Sequence, residues 1–131
     1  MLKRIKIESE INNLRIVENA IDSITNESGI NQENYGKILI GTLEAVNNAI
    51  VHGNKSDKNK FVSIEFSMKK SLLEITIEDE GPGFKPGDVP DPTKPENIEL
   101  INGRGVFLMT KLADSIKFNK RGNCVKLTFK I

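Results

Sequence analysis

The stretch Glu44–Asn54 reads EAVNNAIVHGN. Ala45, Val46, Ala49 and Ile50 fall at the spacing of one apolar helix face. Glu44, Asn48 and His52 are four apart, so on a helix they share a second face that borders the first. Asn47 lies one position off that line. Asparagine is a poorer helix former than alanine, and two in succession double the cost. Taken alone, the row reads as a solvated face, with His52 and Gly53 ending the helix. Gly53 is then free to take the left-handed conformation.

Upstream, Asn31 is placed to cap this helix, and Tyr35, Ile38, Leu39 and Thr42 extend its apolar face. Before it, Ile11, Leu14, Val17, Ile21 and Ile24 recur at steps of three and four. They predict an earlier helix, with Ser9 as its N-cap and Gly29 as its stop. Leu2 to Ile7 alternate as a strand. Downstream, Val62, Ile64, Phe66 and Met68 alternate with polar residues. After a KKS turn, Leu73, Ile75 and Ile77 do the same. The segment DEGPGFKPGDVPDPTKPEN, from Asp79 to Asn97, holds all five prolines of the chain and is predicted to be a long irregular loop. A short helix carrying Val106, Met109 and Leu112 follows. The chain then forms a hairpin turning near Arg121-Gly122-Asn123, with Val125, Leu127, Phe129 and Ile131 on one face. Strands joined by short turns pair antiparallel. The expectation is an α+β fold, a two-layer sandwich of a mixed, mostly antiparallel sheet with helices on one face.

The 131 residues suit a single domain, 1–131. Charged residues make up 28% and hydrophobic residues 37%, a globular balance. The net charge of +1 provides no basic field for nucleic acid. No apolar run approaches the ~20 residues that span a bilayer, and the N-terminus has no signal-like apolar segment. The one cysteine, Cys124, falls in a strand pattern and is expected to be a buried, inert thiol. These features fit a cytoplasmic protein.

Two further motifs carry chemistry. Asp79 continues the strand parity of Leu73, Ile75 and Ile77, which points a carboxylate toward the buried face. A carboxylate there needs a donor, such as a ligand amino group. Gly81 and Gly83 would let the backbone approach a ligand, or would simply serve a β-turn around Pro82. Further on, Gly103 and Gly105 in NGRGVFLM precede a helix start. Such a start offers free N–H groups to phosphate, and Arg104 adds a forked cation. Alone, G-x-G also reads as a flexible helix entry.

The order is acid-and-amide helix, strand ending in D-x-G-x-G, proline-rich loop, and G-x-G at a helix start. It resembles the ATP-binding domain shared by histidine kinases, gyrase, the Hsp90 chaperone and the mismatch-repair MutL proteins. EAVNNAIVHGN, DEGPGF and GRGVFLM look most like the anti-sigma factor serine kinases among them, over nearly the whole chain. The resemblance implies the Bergerat ATP-binding fold with a five-stranded sheet, and ATP and Mg²⁺ as cofactors. It implies Asn48 as the Mg²⁺ ligand, with Asn47 beside it, and Glu44 as the general base. Asp79 would accept from the adenine amino group, with Gly81 and Gly83 beside the base. Residues 85–102 would form a lid over the phosphates, and Gly103, Arg104, Gly105 and Val106 would meet phosphate at its end. His52 stays structural, and no role is carried over to Cys124. With His52 as the only histidine, a complete histidine kinase is not expected.

The function implied is a serine-protein kinase that phosphorylates an anti-sigma factor antagonist and regulates a sigma factor by partner switching. A sigma factor is the second partner implied, and family members often form homodimers; neither nucleic acid nor membrane is expected as a partner. The alternatives are a nucleotide-binding regulatory module with little kinase activity, and a small ATPase of the chaperone kind. The implied lid yields a test: amides in residues 85–102 should gain protection from hydrogen exchange when Mg·ATP is added. Equal exchange in both states would count against the lid.

Overall fold

The computed structural model describes residues 1–81, 109, 111–119 and 122–131. Strand β1 (Leu2–Glu8) leads through a single 3₁₀ turn (Ile11–Asn13) into helix α1 (Leu14–Ser28). Helix α2 (Gln32–Asn48) continues into a π turn (Ala49–Gly53). Strands β2 (Phe61–Lys69) and β3 (Leu72–Glu78) follow, and β4 (Ser115–Phe118) and β5 (Cys124–Lys130) close the chain. Met109, Lys111 and Leu112 are helical, as the short-helix reading expects. The predicted two-layer α+β sandwich is present.

The strands form one sheet in the order β1-β2-β3-β5-β4, with every described pairing antiparallel. The inner face carries Ile7 of β1, Val62, Ile64 and Phe66 of β2, and Leu73, Ile75 and Ile77 of β3. Val125, Leu127 and Phe129 complete it from β5, and all ten are buried. Val17, Ile21 and Ile24 of α1 and Ile38, Ala45 and Val46 of α2 lie across the same core. Burying each large aliphatic side chain contributes about 1.5–3 kcal/mol. The outer face is polar, with Arg4 paired to Glu65 and Lys126 to Glu74 across neighbouring strands. This alternation sets strand register, because a slip of one residue would carry the apolar set into water. No helix among the described residues is long and apolar enough to cross a membrane.

The helix boundaries partly follow the sequence reading. Asn31 caps α2, its side-chain oxygen accepting from the Asn34 N–H at 2.8 Å. Gly29 ends α1 at φ 65°, a conformation that glycine adopts without steric penalty. Ser9 is not the cap of α1. The helix starts later, at Leu14, and the buried Ser9 hydroxyl donates to the Lys60 carbonyl at 2.7 Å. With β1 paired to β2, Ser9 meets the loop before β2 and satisfies a carbonyl there. Ile11, assigned by periodicity to the core stripe, lies in the 3₁₀ turn and is 49% exposed. Cys124 is half-buried, not buried, because its register opposite Glu78 places it on the outer face. Burial still pushes its thiol pKa up, and the nearby Glu78 and Asp79 carboxylates add to the effect. The neutral, weakly nucleophilic thiol therefore dominates at neutral pH.

Tyr35 of α2 donates its hydroxyl to the Asp22 carboxylate of α1 and ties the two helices together. That hydrogen bond, with burial and the charges of Asp22 and Glu18, raises its pKa above the usual 10.0. Stability gained from the neutral phenol is thus fully present below the unfolded-state pKa and is lost as pH rises through the raised folded-state value. Tyr35 is the chain's one tyrosine, so phenolate absorbance reads this bond alone. A spectroscopic titration should give a midpoint above that of the unfolded chain, and Asp22→Asn should bring it down. An unchanged midpoint in the variant would remove Asp22 as the cause.

Candidate functional site

Glu44 and Asn48 sit one turn apart on the last two turns of α2, on the half-buried border beside Ala45 and Val46. Glu44 has no hydrogen-bond or ion-pair partner among the described residues, which leaves its carboxylate uncommitted by the fold. The Asn48 amide nitrogen is buried and unpartnered there; with Thr42 Oγ1 it is one of two such side-chain atoms. A buried polar group without a partner costs about 1–3 kcal/mol, so this amide is held in place without being satisfied by the protein.

His52 lies past the end of α2. The α register ends at Asn48, and the π turn takes up one extra residue per hydrogen-bonded loop, closed by the Asn54 N–H on the Ala49 carbonyl at 2.8 Å. His52 lies within this turn and is exposed.

The π turn carries Gly53 directly against Asp79. A Cβ on Gly53 would lie 2.3 Å from the Asp79 carboxyl carbon. A Cβ on Gly81 would lie 2.1 Å from the Gly53 carbonyl oxygen and 2.9 Å from Asp79 Oδ1. Gly53 does not adopt a positive φ, contrary to the expectation of a left-handed helix end. Its glycine is required by the approach of another chain segment. The Gly81 N–H then donates to Asp79 Oδ1 at 2.8 Å and fixes the orientation of the carboxylate. Asp79 is half-buried just beyond the end of β3, with the inward parity expected of it.

Two asparagines missing from the sequence-level candidates complete the arrangement. Asn54 is 1% exposed. Its amide donates to Ser9 Oγ at 2.8 Å and to the Phe61 carbonyl at 3.0 Å, and its oxygen accepts from the Glu80 N–H at 2.7 Å. The Glu80 carboxylate in turn accepts from the Phe61 N–H. On the other side, Asn123 in the β4–β5 turn donates to the Asp79 carbonyl at 3.0 Å, while its own carbonyl accepts from the Asp79 N–H at 2.9 Å. The only sequence signal for either was a polar residue directly after a helix end or directly before a strand. Gly83, Gly103, Arg104, Gly105 and Val106, and the lid segment 85–102, lie outside the described residues.

The structure thus packs Gly53 against Asp79 and Gly81 where the turn after α2 meets the exit of β3, with Glu44 and Asn48 on the helix that leads into that turn. The contact is testable. Gly53→Ala should cost about 1–3 kcal/mol in chemical denaturation, as overpacking does in a tight site. A variant as stable as the parent would show that Asp79 can move aside.

The chain's relatives fit this geometry. The family model described as histidine kinase-like ATPase domain matches residues 7–129. Serine-protein kinase RsbW of Bacillus subtilis (strain 168) is 28% identical over 130 residues, covering 94% of this chain and 81% of that protein. The anti-sigma F factor of Clostridium perfringens (strain SM101 / Type A) is 33% identical over 101 residues, covering 75% of this chain and 72% of that protein. Among solved structures, that of the RsbU and RsbW domains of Rv1364c from Mycobacterium tuberculosis aligns over 99% of this chain with a TM-score of 0.69. At 17% identity that likeness concerns the fold, and this chain spans 32% of the solved chain's length. On the sequence matches, the chain belongs to the histidine kinase-like ATPase domain family, in the branch of the RsbW serine-protein kinases and anti-sigma F factors.

Proposed function

We propose that this chain is an ATP-binding anti-sigma factor serine kinase, which phosphorylates a serine of an anti-sigma factor antagonist and thereby regulates a sigma factor by partner switching. The observation that carries this reading is the contact of the α2 end with Asp79. It joins the helix that carries Glu44 and Asn48 to the strand exit that carries Asp79, the three residues to which the family resemblance gives proton transfer, magnesium and adenine. The names of the relatives support the same reading.

In this reading the Asp79 carboxylate accepts from the adenine amino group, as a carboxylate can accept several hydrogen bonds at once. Gly81 and Gly53 keep the floor of the site free of side-chain atoms. Glu44 accepts the proton of the incoming serine hydroxyl as its oxygen bonds to the γ-phosphorus and the bond to the departing ADP oxygen breaks. Phosphoryl transfer of this kind depends mostly on positioning and on charge stabilisation.

The chemistry of an asparagine side chain suits Mg²⁺, a hard cation that takes oxygen ligands. It is held through few protein oxygens plus substrate phosphates and water, and among the described residues no cluster of three His, Cys, Asp or Glu side chains forms a metal cage of its own. Asn48 would supply its amide oxygen, and bound Mg²⁺ would offset phosphate charge. The partner switch follows from the product: a phosphoserine adds about −1.5 to −2 charge at an interface. Repulsion there would release the antagonist and return the kinase to its sigma factor.

The test uses γ-labelled ATP and a candidate antagonist protein. Wild type should label one serine. Asn48→Ala should abolish labelling. Glu44→Gln should lower the rate by about 10²–10⁴ while sparing nucleotide binding, the range for a lost general base. Wild type that binds ATP and labels nothing would turn the assignment to the regulatory module.

A further inference from the structure

Asp79 lies where the β3 ladder ends and a backbone would ordinarily be free to turn. Here it is held from both flanks. Strand β3 runs between β2 and β5. From the β5 flank, Asn123 exchanges two hydrogen bonds with the Asp79 backbone: the Asp79 N–H donates at 2.9 Å and the Asn123 amide donates back at 3.0 Å. From the β2 flank, Asn54 accepts from the next N–H, that of Glu80, at 2.7 Å.

Each arm is anchored in turn. Asn54 is tied to the first residue of β2 through the Phe61 carbonyl and to the end of β1 through Ser9 Oγ. Asn123 Oδ1 accepts from the Asn119 amide at 2.9 Å. The oxygen of Asn119 gathers the N–H groups of Gly122, Asn123 and Cys124 at 2.7–3.3 Å. Asn54 and Asn123 are 1% and 8% exposed, so their bonds lie largely out of competition with water.

A hydrogen bond from a ligand amino group weakens steeply once its angle falls below about 120°. The value of Asp79 therefore depends on the backbone that carries it. We propose that Asn54 and Asn123 are positioning residues for base recognition: they clamp the chain on either side of Asp79 so that its carboxylate meets the adenine amino group in one fixed orientation. This rests on the reading of Asp79 as the adenine acceptor. Neither asparagine touches the base in this scheme; each acts through the peptide groups flanking Asp79.

The test is base discrimination. Affinities for Mg·ATP and Mg·inosine triphosphate, whose base has a carbonyl oxygen in place of the amino group, are measured by titration calorimetry. The proteins are wild type, Asp79→Asn, Asn54→Ser and Asn123→Asp. Asn123→Asp keeps the shape of the side chain and puts a carboxylate oxygen where the donor was, so it breaks one arm, and a melting curve of each variant reads what the change costs the fold. Wild type should prefer ATP, and Asp79→Asn should lose the preference. Each asparagine variant should lose ATP affinity by about five-fold, the worth of one hydrogen bond, and hold its inosine triphosphate affinity.

The ratio compares two ligands on the same folded molecules, so lost stability alone leaves it unchanged. Variants that melt earlier yet keep the wild-type ratio would overturn the positioning role and leave Asp79 as the reader. A wild type without preference would instead overturn the reading of Asp79 itself.

Discussion

The arrangement depends on one steric fact: the end of a helix and the exit of a strand meet where there is room for backbone only. Gly53 and Gly81 lie in contact, with the Asp79 carboxylate packed against both. Any side chain at either glycine would push apart the two segments that carry the candidate site. Glu44 and Asn48 belong to one segment and Asp79 to the other. The approach of these two segments is therefore a consequence of packing at two residues that have no functional group. The π turn is part of the same solution. It delivers Gly53 to this point and sends the following Asn54 inward, where it is buried.

Around that contact three asparagines bond to the backbone. The four ion pairs among the described residues all involve exposed side chains, such as Arg4 with Glu65 at 70% and 43% exposure. Pairs of that kind contribute at most about 1 kcal/mol. Asn54, Asn119 and Asn123 instead bond to backbone N–H and C=O groups that the end of a strand leaves over. An asparagine can donate and accept at once without a charge to desolvate. Three of them tie strand ends that the ladder itself cannot reach.

The elements were legible because a two-layer sandwich imposes simple periods. The alternation in β2 and β3 and the three-four spacing in α1 and α2 follow directly from having one wet face and one dry face. Glu44 and Asn48 were legible as a pair because an α-helix fixes their separation, and Asp79 because strand parity fixes its side. The misreadings share a cause. Ser9 looks like a cap among its neighbours in sequence, yet its partners, Lys60 and Asn54, are 51 and 45 positions away. Gly53 looks like a helix terminator, yet its constraint comes from Asp79 across the fold. The π turn cannot be seen in the spacing of Glu44, Asn48 and His52, since the same residues fit an unbroken α register. Asn54 and Asn123 were passed over because an asparagine at a loop has no preferred partner until tertiary structure supplies one.

The sheet described above ends in two quite different margins. One is β4, only four residues long. The other is β1, seven residues long, with Lys3, Arg4 and Lys6 among them. An open strand margin is a template on which a stray chain can add itself. Here brevity defends one rim and a row of cations the other. A newly made or partly loosened copy is thus discouraged from growing the sheet sideways into aggregates.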